Sequence, residues 1–141
     1  MLPKILVDSN VILDIFTNDP VWGLWSQNVL DQYCLQNELC INSIIYTEIS
    51  IGFNLIEELE SAINLCNLNL IKIPNEALFL AGKVFIKYRE NKGKKISPLP
   101  DFFIGAHASV LNIRLITRDI NRMKFYFPKL QIISPEITCQ K

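Results

Sequence analysis

The sequence predicts an α/β fold, a parallel sheet of about five strands covered by helices on both faces. Three observations carry this. Short apolar runs of strand length alternate along the chain with segments of helical periodicity. Of 141 residues, 50% are hydrophobic and 20% charged, enough to bury a core in one domain over 1–141 and to exclude disorder as the main state. There are no repeats or low-complexity segments to suggest another architecture.

The elements follow in order. Lys4–Val7 is an apolar run ending in the polar triplet Asp8-Ser9-Asn10, which reads as a buried strand followed by a helix start. Val11–Phe16 continues that helix to the turn signal Asn18-Asp19-Pro20. Trp22–Gln36 is helical, with Leu24, Trp25, Val29, Leu30 and Tyr33 at helical spacing, and Leu39–Asn42 is a second strand. Ser43–Phe53 is a helix with Asn42 or Ser43 as N-cap. Leu55–Cys66 is another helix and Leu70–Ile73 a third strand. Ala77, Leu78, Ala81, Val84, Phe85 and Tyr88 mark an amphipathic helix over Asn75–Glu90. A basic loop, NKGKKISPL, leads to a helix opened by Pro100 and running to Leu111. Arg114–Thr117 and Gln131–Ser134 are the fourth and fifth strands.

The zero net charge conceals an asymmetry. Residues 1–70 carry Lys4 against nine acids, a charge of −8, and residues 71–141 carry thirteen basic and five acidic residues, a charge of +8. A basic surface beside an acidic one, or mutual neutralisation on folding, both satisfy this pattern. Overall neutrality argues against strong non-specific nucleic-acid binding. No apolar run reaches membrane-spanning length and no signal segment opens the chain, so a soluble, cytoplasmic protein with no membrane partner is expected. Cys34, Cys40, Cys66 and Cys139 lack CxxC spacing and read as small buried hydrophobes without chemistry.

Ligands of parallel α/β sheets bind beyond the carboxyl ends of the strands. Four acids fall there: Asp8 after the first strand, Glu48 one turn into the helix after the second, Asp101 in the first turn of the helix opened by Pro100, and Asp119 after the fourth strand. Each also has an ordinary role open to it. Asp8 and Asp119 suit helix caps, Asp101 suits the positive end of its helix, and Glu48 suits a lysine partner. Four such explanations converging on one edge is the less economical reading. Crowded carboxylates repel one another, a divalent cation relieves that cost, and hard oxygen ligands suit Mg²⁺ or Mn²⁺. His107, six residues after Asp101, falls on a different helix face and reads as a packed or surface imidazole.

The blocks LVDSNVILDI (6–15), TEIS (47–50), PDFFIGAHA (100–108) and LITRDINRMKFYFP (115–128) resemble the PIN-domain family, most closely its VapC-like ribonuclease toxins of type II toxin–antitoxin systems. The resemblance runs from Lys4 to about Pro135 and rests on all four blocks in order. It implies a three-layer α/β/α sandwich and a metal-dependent endoribonuclease, which hydrolyses RNA phosphodiester bonds with a metal-activated water. By position it makes Asp8, Glu48, Asp101 and Asp119 the catalytic, Mg²⁺- or Mn²⁺-binding acids, with Asn10 and Thr117 supporting them. Ser9 stands where the family often has Thr, which keeps a hydroxyl. The partners it implies are RNA, a cognate antitoxin and a second copy of the chain.

Lys92, Lys94 and Lys95 in the basic loop and Arg118 and Arg122 beside Asp119 are candidates for RNA phosphates, or ordinary solvated charges. Phe125, Tyr126 and Phe127 suit core packing better than base stacking. Trp22, Trp25 and the apolar positions of the helices over 21–36 and 55–66 must pack on the core or on a partner. Two other readings stay open: a non-cutting PIN-like module for RNA or protein, and another Mg²⁺-dependent phosphoryl-transfer hydrolase. Against the latter, Asn10 stands where a haloacid-dehalogenase-like phosphatase wants a second Asp, and Ile73-Pro74-Asn75 lacks the phosphoacceptor of a receiver domain. A pure interaction protein leaves the four acids unexplained.

Overall fold

The computed structural model describes residues 1–135. Five strands, β1 (Lys4–Val7), β2 (Glu38–Ile41), β3 (Asn69–Leu70), β4 (Arg114–Ile116) and β5 (Ile132–Ile133), form one sheet in the order β3-β2-β1-β4-β5. Every pairing is parallel, with Leu6 opposite Cys40 on one side and Leu115 on the other. Seven helices connect them among the described residues: α1 (Ser9–Phe16), α2 (Gly23–Tyr33), α3 (Ser43–Ser50), α4 (Ile56–Leu65), α5 (Asn75–Glu90), α6 (Pro100–Leu111) and α7 (Ile120–Tyr126).

Ile5, Leu6 and Val7 are consecutive and fully buried, as are Cys40 and Ile41 in β2 and Leu115 and Ile116 in β4. Successive strand residues point to opposite faces, so both faces of the sheet are covered, and the expected α/β/α sandwich is what the chain forms. Phe102 of α6, fully buried, meets Tyr88 of α5 and Tyr126 edge-on at ring centroid distances of 5.5 and 5.1 Å. Those contacts fix α6 between α5 and α7.

The strand order places the site. From β1 the chain steps outward to β2 and β3, then crosses back to add β4 on the other side of β1. The direction of winding therefore reverses between β1 and β4, and the crevice beyond their carboxyl ends is the place such a sheet offers a ligand. Asp8 leaves β1 and Thr117 leaves β4 at that point, and the Asp8 N–H donates to the Ile116 carbonyl at 2.9 Å.

Several boundaries differ from the sequence reading. The third strand is Asn69–Leu70, starting one residue earlier than Leu70–Ile73 and two residues shorter, an edge strand whose Leu70 is exposed. The fifth contracts to Ile132–Ile133. The helix α7 has no counterpart in the sequence reading beyond a possible cap at Asp119. Its seven residues, INRMKFY, bury only Met123, too few for a periodic signature. The cysteines are not uniformly buried: Cys40 is, with its thiol pushed up to about 12 chiefly by burial, whereas Cys66 is half-buried and Cys34 exposed at the end of α2. Cys139 lies outside the described residues. Among those residues, no helix is long and apolar enough to cross a membrane.

Candidate metal centre

Asp8 lies at the centre of the crevice with 2% of its surface exposed. It is the N-cap of α1, and its Oδ1 accepts from the Ser9 N–H at 2.7 Å. Its Oδ2 accepts from the Thr117 hydroxyl at 2.7 Å. Thr117 is fully buried and saturated: besides donating to Asp8 it accepts from the Asp119 N–H at 3.1 Å and from Asn10 Nδ2 at 3.4 Å. Asn10 completes the bracket by accepting from the Arg118 N–H at 3.3 Å. One polar cluster thus joins the ends of β1 and β4.

The helix after β2 supplies the next acid. Asn42, fully buried, caps α3 by accepting from the Ile45 N–H at 2.9 Å. Its amide also donates to Nδ1 of the fully buried His107 on α6, at 3.0 Å. That contact ties α3, which carries Glu48, to α6, which carries Asp101. The imidazole is packed, as the sequence suggested, and burial holds its pKa below the ordinary value. Among the described residues Glu48 has no lysine partner; its Oε1 accepts from the Ser9 hydroxyl at 2.8 Å. Ser9, one residue from Asp8, therefore links two of the four acids.

Asp101 stands in the first turn of α6 after Pro100 and accepts from Arg122 at 3.0 Å. Asp119 occupies the N-cap position of α7 without a side-chain capping bond. The charges feel one another. Asp8 is raised from 3.8 to about 7, first by burial, with Asp101 and Glu48 adding repulsion and the bonds from Thr117 and Ser9 opposing it. Burial likewise raises Glu48, with repulsion from Asp101 added. Asp101 is raised by burial and by Asp119, against the pull of Arg122. All four acids thus belong to one electrostatic cluster.

The cationic candidates lie differently. Arg118 turns to Asp14, Nε and Nη2 donating at 2.7 and 3.1 Å, and its guanidinium lies 5.4 Å from the Trp22 ring centroid. Arg122 sits on Asp101. Lys94 and Lys95 are exposed in the turn before α6, which Arg89 fastens by donating to the Lys95 carbonyl at 2.8 Å. Phe127 packs in the core and Phe125 is exposed. The Asp14–Arg118–Trp22 contact escaped the sequence reading. Its only trace there was Asp14 interrupting the apolar face of α1.

Among the described residues, no three His, Cys, Asp or Glu side chains stand close enough to enclose a metal ion as they lie. The donor chemistry nevertheless fits a hard divalent cation: oxygen ligands only, an excess of negative charge, and a buried carboxylate whose own bonds come from neutral hydroxyl and amide groups. Asp8, Glu48, Asp101 and Asp119 are the residues that would hold it.

A sequence model of the PIN domain family matches residues 5–126. Solved structures share the fold. VapBC2 from Rickettsia felis, described as bound to a DNA fragment from its promoter, has a chain 22% identical with a TM-score of 0.69, covering 93% of this chain and 98% of that one. VapBC-1 from nontypeable Haemophilus influenzae gives 22%, 0.69, 93% and 97%. A toxin-antitoxin complex from Klebsiella pneumoniae gives 20%, 0.67, 92% and 96%. No curated protein matches the chain. With the family's model spanning most of its length, the chain belongs to the PIN domain family.

Proposed function

We propose that this PIN-domain chain is a divalent-metal-dependent endoribonuclease and the toxin of a toxin–antitoxin pair. The observation that carries the reading is Asp8: a nearly buried carboxylate at the β1–β4 crossover, raised to about 7, with three more acids around it. Such an arrangement costs stability and makes sense where a cation repays it.

Asp8, Asp101, Glu48 and Asp119 would hold Mg²⁺ or Mn²⁺. When bound there, the ion supplies Lewis acidity toward water and phosphate oxygens. The chain's own residues do the positioning. Thr117 and the Ser9 N–H fix both oxygens of Asp8, and the Ser9 hydroxyl sets the Glu48 carboxylate. Asn10 and Thr117 hold the backbone after β4, from which Asp119 projects. Lys94 and Lys95, exposed in the turn that leads to Asp101, are the side chains proposed to meet RNA phosphates.

An antitoxin is the partner proposed, on the likeness to toxin–antitoxin complexes and on the apolar residues left exposed at α2 and α4: Leu24, Leu55, Ile56 and Leu65. A second copy of the chain is proposed on those exposed apolar residues alone. The test is incubation of total cellular RNA with the purified protein and mapping of new 5′ ends. Discrete cuts are expected in Mg²⁺ or Mn²⁺, with loss of at least a hundredfold in activity in excess chelator and in Asp8→Asn or Asp101→Asn. Cuts that persist in these variants would refute the assignment of the centre. A folded protein that binds RNA without cutting would return the chain to the non-cutting reading.

A further inference from the structure

Of the three ion pairs among the described residues, only Arg122–Asp101 reaches the acidic cluster. Its geometry is that of a replaceable contact. A single nitrogen, Nη1, meets a single oxygen, Oδ2, at 3.0 Å, so the guanidinium does not use its two-pronged face. The Arg122 side chain is 49% exposed and that of Asp101 22%. Arg118 makes the contrast. It grips the nearly buried Asp14 through two nitrogens, is held against Trp22, and Ser26 adds a further bond to Asp14 at 3.0 Å. One arginine is built into the fold and the other rests on a carboxylate of the centre.

Resting on the metal-dependent reading above, we propose that Arg122 is the intramolecular counterion of Asp101, with which a divalent cation competes for that carboxylate. Arg122 engages Oδ2 alone, so the competition is one of like charges on a single carboxylate. A divalent metal of this size approaches a carboxylate oxygen to about 2.0–2.2 Å, and a guanidinium held at hydrogen-bond distance on that oxygen would face it as a like charge. Arg122 lies on the exposed side of α7, where its long side chain can leave without disturbing the core. It therefore acts as a positioning residue: it neutralises Asp101 while the centre is empty and sets a threshold on the cation that fills it. A half-exposed pair is worth no more than about 1 kcal/mol, which converts to a competition of about two- to fivefold in affinity.

The experiment is calorimetric titration of Mn²⁺ into the full chain in four forms: wild type, Arg122→Gln, Asp101→Asn, and the double variant. Arg122→Lys serves as a conservative control. Arg122→Gln is expected to bind Mn²⁺ two- to fivefold more tightly, and Arg122→Lys to stay within twofold of wild type. Asp101→Asn should bind more weakly, and adding Arg122→Gln to it should bring no gain. The cycle separates a contact made through Asp101 from a general change in charge, which would tighten both backgrounds equally. Unchanged or weaker binding by Arg122→Gln, or an equal gain on the Asp101→Asn background, overturns the proposal while wild-type binding leaves the metal-dependent reading standing. No Mn²⁺ binding by any form overturns both.

Discussion

Asp8→Asn is expected to stabilise the metal-free protein, by an amount that grows with pH. The folded carboxyl ionises at about 7 and the unfolded one at its ordinary 3.8, burial being the main cause. Between those values the folded chain holds a proton that the unfolded chain has released, so stability falls as pH rises, by about 1.4 kcal/mol per unit. The loss stops once pH passes the folded value, having reached about 4 kcal/mol in all. Asn carries no such dependence. It does bring an amide donor against either the Thr117 hydroxyl or the Ser9 N–H, a pH-independent cost of about 1–2 kcal/mol. The two proteins should therefore be nearly equal at pH 5, and the variant more stable by about 2–3 kcal/mol at pH 8. Urea unfolding in chelator at pH 5, 6, 7 and 8 measures the gap. Saturating Mg²⁺ should close it, because an ion at 100 times its dissociation constant stabilises the binding form alone by about 2.7 kcal/mol. A gap that stays constant from pH 5 to pH 8, or a variant less stable than wild type at pH 8, would refute the account of Asp8 as a carboxylate strained by burial and like charge.

Two further substitutions probe the frame around the centre. Arg118→Met removes the partner of Asp14, which is 4% exposed, and leaves a buried carboxylate with only Ser26; a loss of about 3 kcal/mol is expected in urea unfolding, partly recovered when Asp14→Asn is added. Gly105→Ala sets a methyl against the ring edge of the buried Phe127, well inside van der Waals contact, and should lower stability by about 1–2 kcal/mol despite the better helix propensity of Ala.

The fold was legible wherever a single element carries its own signal. Asn75–Glu90 and Pro100–Leu111 coincide with the sequence reading because sixteen amphipathic residues, in one case, and a proline start with an Asn stop, in the other, declare their ends locally. Asn112 closes α6 in the left-handed region, at φ 54°, a conformation Asn tolerates. Short elements were not legible. Asn69–Leu70 pairs as a strand only beside β2, and Ile120–Tyr126 is a seven-residue helix that buries Met123 alone. The four acids were visible as positions after strands, at a helix start or, for Glu48, one turn into a helix. Their wiring was not, since Thr117 lies 109 residues from Asp8 and Ser9 lies 39 from Glu48. A sequence shows which groups can bond, and pairing across such separations waits on the sheet order.

The same wiring explains how so costly a cluster is kept. A protein with no use for negative charge at the β1–β4 crossover has a cheap remedy, a lysine or arginine buried among the acids. This chain has thirteen basic residues beyond position 70, and among the described residues none of them pairs with Asp8 or Glu48. Asp8 is held by a hydroxyl and a backbone N–H, and Glu48 by a hydroxyl, groups that orient a carboxylate without neutralising it. Among the described residues the one full charge admitted, Arg122, touches Asp101 through one bond and from a half-exposed side chain. Neutral donors within and a detachable cation at the rim leave the negative charge available to a ligand. That distribution is the one a ligand-binding centre needs, and it differs from a structural ion-pair network, which closes on itself as Asp14 and Arg118 do.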